Sequence, residues 1–329
     1  MTAIDHLARF VTGANPSADQ ARLIAPAVAD CFGCILAGAS SEVAEKVRRG
    51  FSGFGEGQAP LYGTDHTLSP PLAAQINAVA GHAWDLDDWE EPGNTHPTVV
   101  LLPALLAAAS MRNRSGKEAM TAYAVGLEII MRLGEALTLD HYARGFHSTA
   151  TLGPIGVAGA ISRLLGLSIE QTANALSLAA SQATGYTLQF GSNAKPLQAG
   201  WAARNGLEAA LLAEQGVTAQ RDVLDHARGF AGLMGDFDPS RFDAVLNRLG
   251  TTWALDAYGL VLKPWPSCGY THRLMTAALT LRPDLVERMS EITAIHARLP
   301  DFHAEILPFH HPISRAEALF SAPACIAQA

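Results

Sequence analysis

The chain has 329 residues, 49% hydrophobic and only 16% charged, with a formal net charge of −8. A chain this long and this apolar buries a large core, and part of its surface is expected to sit in an oligomer interface. The acidic balance and the lack of any basic run argue against nucleic acid or an anionic membrane surface as a partner.

Helical signals dominate in chain order. Ser17-Ala-Asp-Gln20 is a capping box that opens a helix to about Ala39, and Ser41 starts a short one to about Phe51. Residues 59–63 read as a brief extended piece. Pro70 and Pro71 suit the first turn of a helix expected to run to about Trp89, with Pro92, Gly93 and Pro97 breaking it. Val99 to Met111 reads as a buried helix, too short and too interrupted by Pro103 to span a bilayer. Further helices are expected from Ser115 to about Leu137, Ser148 to Leu165, Ser168 to about Tyr186, Pro196 to Gly216, and between Pro239 and Gly250. Near Lys263 the pattern changes. A helix over Tyr270 to Leu281 is followed by an extended stretch, Glu291 to Leu299, and by a helix of small apolar residues from Ser314 to Ala329.

The fold class expected is therefore mainly α. A large all-helical domain spans residues 1–262, and residues 263–329 begin a smaller α+β lid domain that is too short to bury its own core and so reads as incomplete. No signal peptide is expected. Four scattered cysteines fit a reducing cytoplasm better than a disulfide scaffold.

Five places carry chemistry. The first is His82-Ala-Trp-Asp85-Leu-Asp87-Asp88, where carboxylates and aromatic side chains interrupt apolar sequence. On a helix His82 and Asp85, and Asp85 and Asp88, share a face. Carboxylates so close repel, so that one is expected to hold a proton near neutral pH. A solvated helix end is the plain alternative, but acidic groups there oppose the helix dipole. The second is His96, in Thr95-His96-Pro97. The third is His147, just before a glycine-rich helix whose amides would face whatever the histidine faces. The fourth is Lys195, one of only four lysines, placed at a helix start where a bound anion would relieve its conflict with the dipole. The fifth is Lys263-Pro-Trp-Pro-Ser-Cys268-Gly-Tyr270-Thr-His272-Arg273, a dense set of proton donors and anion binders at the expected domain boundary. Cys31-Phe-Gly-Cys34 has redox spacing but falls inside a helix and reads as core. Asp85-Leu-Asp-Asp88 also matches the pattern of proton-initiated terpene cyclases. Those need aromatic-lined pockets, and aromatic residues are 7% of this chain.

Four of these motifs, in this order, resemble the MmgE/PrpD family: the His-Ala-x-Asp-x-Asp-Asp segment with its following His-Pro, the Gly145-Phe-His147 turn, the Lys195-Pro-Leu-x-x-Gly200 helix start, and the Lys263-x-x-Pro266 cluster. The family includes 2-methylcitrate dehydratase, cis-aconitate decarboxylase and iminodisuccinate epimerase. The resemblance implies a homodimer, no metal or organic cofactor, and a site between a helical and a lid domain. It implies Asp85, His96, His147, Lys195 and Lys263 as site residues, with His272 in the same cluster. From their chemistry Asp85, His96, His147 and Lys263 are expected to be catalytic and Lys195, His272, Arg273 and Cys268 substrate-binding, with His96 or His147 as base and Asp85 orienting a histidine. The substrate implied is a small di- or tricarboxylic acid. The reaction is proton transfer next to a carboxylate, first as a 2-methylcitrate dehydratase-like hydro-lyase and alternatively as an epimerase of an iminodisuccinate-like substrate, or an inactive family member. Two departures stand against a decarboxylase: Trp89 stands where that enzyme has threonine, and Cys268 where it has histidine.

Overall fold

Capping chemistry sets half of the α-helix starts. The computed structural model describes residues 1–329, apart from the side chain of Thr138. Reciprocal capping boxes open α1 (Ala3–Gly13), α2 (Ala18–Gly38), α6 (Gly116–Ala143) and α8 (Ile169–Ala180), each with the N-cap hydroxyl and the third-position side chain satisfying one another's amides. Each such cap is worth about 1 kcal/mol. Between them run α3 (Glu42–Gly50), a two-residue antiparallel pair β1 (Ala59–Pro60) and β2 (Thr67–Leu68), α4 (Pro70–His82), α5 (Pro97–Arg112) and α7 (Ser148–Leu165). After α9 (Ala194–Glu214) come three short helices, α10 (Phe230–Met234), α11 (Pro239–Leu246) and α12 (Ala254–Tyr258), then the longer α13 (Gly269–Leu285).

The bundle is built around α7. Its residues from Ser148 to Ser162 are all buried, as expected of a helix apolar on every side. It packs against α5, α6, α8 and α9. Glycine lets the α6–α7 backbones approach: a Cβ at Gly156 would lie 2.8 Å from the Gly126 carbonyl oxygen. Helices α4 and α5 are also buried nearly all round. One large core unites α1 through α12, and a second, smaller cluster of Tyr142, Phe190, Cys268, Leu307 and Phe320 joins the C-terminal segment to the bundle. Helix α2 is long and apolar enough to cross a membrane by length and composition, but Ile24, Cys31, Cys34 and Ile35 turn one face into the bundle.

Several expectations are corrected. The helix carrying the acidic motif ends at His82, seven residues early, because Asp85 takes a left-handed conformation (φ 50°) that no helix continues through. The shared helical face of His82, Asp85 and Asp88 therefore does not exist. Helix α8 stops at Ala180 rather than Tyr186. Of the stretch expected to be extended, Glu291 closes a short 3-10 turn, and residues 292–299 belong to no helix and pair in no sheet. The last helix is broken in two, α15 (Arg315–Ala318) and α16 (Ala322–Gln328), following a short α14 (Asp301–Ile306), with Pro323 starting the final piece.

Candidate active site

Four helices begin at one place. The N-cap residues of α5, α7 and α13 are His96, His147 and Cys268, and Lys195 lies in the first turn of α9. None of these four starts has a side-chain cap. All four residues line one cavity. Helix starts carry partial positive charge and free amides, so their convergence favours an anion.

Asp85 is the hub. Its Oδ1 accepts from Lys195 Nζ and Lys263 Nζ, both at 2.8 Å, and Lys263 Nζ also donates to the Asp85 backbone carbonyl at 2.8 Å. All three residues are buried. Burial would push the Asp85 carboxyl up, but Lys195 and Lys263 outweigh it and hold the group well below the usual carboxylate range. Lys263 is raised in turn: burial works against its charge and Asp85 more than restores it. An ammonium has three N–H donors. Among the described residues Lys195 spends its hydrogen bonds only on Asp85, and its Nζ sits 5.2 Å from the ring centres of both Phe190 and Phe320. Donors remain for an incoming anion.

The histidines are held from behind. His96 Nδ1 is 3.0 Å from the Asp88 carbonyl oxygen, which can only accept, so the proton is on Nδ1 and the Nε2 lone pair turns to the cavity, 3.7 Å from Asp85 Oδ1. Asp87 lies 3.3 Å from the same Nδ1 and also takes His82 Nδ1 at 2.9 Å. The orienting contacts on His96 thus come from Asp87 and the Asp88 backbone, not from Asp85. Burial, then Lys263, brings His96 down to about 4; burial, then Lys195, holds His147 well below the ordinary imidazole value. Both rings are neutral proton acceptors at pH 7. Burial also lifts the Asp87 carboxyl, and the two imidazoles beside it bring it back below the usual range.

Asp88 is different. Burial pushes its carboxyl up to about 8, so it is the protonated member of the acidic motif, with desolvation rather than mutual repulsion as the main cause. It accepts from the Thr98 amide at 3.3 Å and pairs with the Thr98 hydroxyl, which pairs in turn with the Tyr123 hydroxyl. Glu90, pushed by burial up to about 7, ties the following loop together by accepting from the Gly93 amide at 3.0 Å and the Thr95 hydroxyl at 2.6 Å. That loop rests on α6 through two glycines: a Cβ at Gly134 would lie 2.5 Å from Gly93 Cα.

Of the residues singled out in the sequence, Asp85, His96, His147, Lys195, Lys263 and Cys268 meet in the cavity. Burial pushes the Cys268 thiol up to about 11. His272 and Arg273 are not brought in. His272 Nε2 faces the Ser267 carbonyl at 3.1 Å, with the ring edge-on to Trp265. Arg273 is exposed, 3.8 Å from Glu91, on an adjoining outer hollow. Sequence reasoning missed the aromatic wall of Tyr142, Phe190 and Phe320, and Asn94, which donates to the Tyr270 hydroxyl at 2.8 Å. Isolated aromatic residues in apolar segments carry no signal of the cavity they face.

A metal is a separate question. Ligand atoms of His82, Asp85, Asp87 and His96 lie within 4.8 Å of one another. Two ammonium groups already occupy Asp85 Oδ1, however, and compete with a divalent cation for that oxygen. The donor set fits a carboxylate ligand better than a metal.

The fold and cavity together define a helical-bundle protein with an internal, charge-lined pocket at converging helix starts. The model of the MmgE/PrpD N-terminal domain matches residues 5–242, and the chain belongs to the MmgE/PrpD family. Human cis-aconitate decarboxylase is 33% identical over 267 residues, covering 78% of this chain and 54% of that protein. The cis-aconitate decarboxylase of Aspergillus terreus is 30% identical over 308 residues, 87% of this chain and 62% of its own. A cis-aconitate decarboxylase-like protein of Aspergillus oryzae is 34% identical over 265 residues, covering 75% of this chain and 55% of that protein. The chain spans between about half and two thirds of the length of these relatives.

Proposed function

We propose that this chain carries the acid–base pocket of a lyase acting on a small di- or tricarboxylic acid, and that residues 263–329 begin a lid over it. The observation that carries the reading is the sharing of one buried Asp85 oxygen by Lys195 and Lys263, opposite two neutral histidines. The two ammonium groups share a single Asp85 oxygen, and four helix starts add their partial positive charge, so donors face the pocket. A substrate carboxylate would take the unused ammonium donors. As a proton leaves the neighbouring carbon, the enolate-like charge that develops on that carboxylate is met by donors already in place. His96 or His147 accepts the proton through Nε2.

Neutral histidines with free lone pairs suit proton abstraction. In a hydro-lyase of the 2-methylcitrate dehydratase kind, one histidine takes the carbon-bound proton, the C–O bond breaks as the alkene forms, and the departing hydroxide takes a proton from a neighbouring ammonium or from the new imidazolium and leaves as water. The relatives named as cis-aconitate decarboxylases support a second reading, decarboxylation, in which the same lysines hold the charge left when carbon dioxide departs. The test is a panel of 2-methylcitrate, citrate, cis-aconitate and iminodisuccinate followed by NMR in deuterated water. Loss of water to form an alkene supports the dehydratase reading, and carbon dioxide release from cis-aconitate supports the second. Deuterium uptake with no elimination means an epimerase, and no change in any of the four overturns the proposal.

A further inference from the structure

The geometry points to Gln198 as the positioning residue that fixes the tautomer of His147, so that Nε2 is presented to the cavity as a proton acceptor. His147 Nδ1 lies 2.7 Å from Gln198 Oε1, and both side chains are buried. Taken alone, an amide beside a histidine settles nothing, because turning the amide over would swap donor for acceptor. Here the amide cannot turn. Its other end donates from Nε2 to the Tyr186 carbonyl at 3.2 Å, and reversal would set two oxygens against each other. The backbone that supplies this carbonyl is tied to the histidine turn on both sides. The His147 amide donates to the Gly185 carbonyl at 3.0 Å, and the Thr187 amide to the Gly145 carbonyl at 2.9 Å. Gly185 is also the residue that admits the amide, since a Cβ there would come within 2.9 Å of Gln198 Oε1.

The order of cause is thus local. The strand-like bridge between Phe146 and Tyr186 fixes a carbonyl, the carbonyl fixes Gln198, and Gln198 requires the proton on His147 Nδ1. What remains is His147 Nε2, a buried polar atom without a partner among the described residues, on a ring that lines the cavity. When Nε2 takes a proton from a substrate carbon, the C–H electron pair stays with the substrate and the ring becomes an imidazolium. Gln198 Oε1 then stabilises the positive ring through the same Nδ1–H, and being a neutral amide it cannot remove that proton. The sequence gap of 51 residues between the two explains why no motif shows the pair.

The catalytic part of this inference rests on the lyase reading, but the tautomer does not, and the experiment separates them. Long-range proton–nitrogen NMR of histidine side chains, with the His147 signals assigned by their loss in His147→Phe, reports which nitrogen bears the proton. Wild-type protein is expected to show His147 with Nδ1 protonated and Nε2 bare. In Gln198→Leu the ring is expected to redistribute towards the Nε2–H form. In Gln198→Glu the midpoint for protonation of His147 is expected to rise by one pH unit or more. A wild-type spectrum with the proton on Nε2 overturns the assignment without recourse to any variant, and so does a folded Gln198→Leu protein whose spectrum is unchanged from wild type. If the tautomers behave as expected while no acid of the four-member panel is turned over, the lyase reading fails and the positioning role stands.

Discussion

Lys263 grips Asp85 twice, donating to its Oδ1 and to its backbone carbonyl, each at 2.8 Å, across 178 residues of sequence. The contact fixes an aspartate that already sits at a left-handed φ of 50°, and it joins the start of the C-terminal segment to the loop after α4. Replacing Lys263 by alanine leaves Asp85 with one ammonium in place of two. Breaking one side of a buried pair of this kind costs roughly 3–5 kcal/mol. Loss of a preset donor costs about a hundredfold or more in turnover. Melting curves and turnover measured together check this; full activity in Lys263→Ala contradicts the role given to it.

Asp88 gives stability a pH dependence of definite sign. Its folded value, about 8, lies above the ordinary aspartate value, so the protonated form favours folding. That contribution is whole below about pH 4 and is lost as the pH rises towards 8. Asp88→Asn cannot ionise and has nothing to lose over this range. Its stability relative to wild type is expected to improve by up to a few kcal/mol between pH 5 and pH 8. Urea unfolding at both values measures it, and a difference that does not change with pH refutes the assignment.

Gly134 is expected to tolerate no side chain. A methyl group there meets the Gly93 backbone, which cannot retreat without moving the loop that carries Thr95 and His96. Gly134→Ala should cost about 1–3 kcal/mol by overpacking. It should also depress turnover beyond what the lost stability explains. Alanine at exposed Gly116, where a Cβ meets nothing within 4 Å, is the control.

How much of this could be read from the sequence follows from the range of the interactions. Helix starts such as Ser17, Ser115 and Ser168 are set by contacts three residues away and are legible. So are the charged site residues, because Lys195 and Lys263 are scarce and Asp85, His96 and His147 interrupt apolar sequence. The end of α4 is not legible. It depends on Asp85 being drawn into a left-handed turn by lysines 110 and 178 residues away. For the same reason the partners of the histidines, Asp87 and Gln198, and the aromatic wall from Phe190 and Phe320, emerge only once the helices are packed.

Metal removal is expected to change nothing. If Lys195 and Lys263 occupy Asp85 as described, dialysis against a chelator leaves the melting temperature and turnover unaltered. A loss restored by a divalent cation would show that His82, Asp85, Asp87 and His96 hold a metal instead.

The central claim is that the pocket is a seat for a polycarboxylate. Calorimetric titration with tricarballylate, a tricarboxylate with no hydroxyl to lose, tests it without turnover. The wild-type chain is expected to bind it saturably and more weakly as salt rises, and Lys195→Ala at least tenfold more weakly. No binding by the wild-type chain, or equal affinity in the variant, would contradict the account.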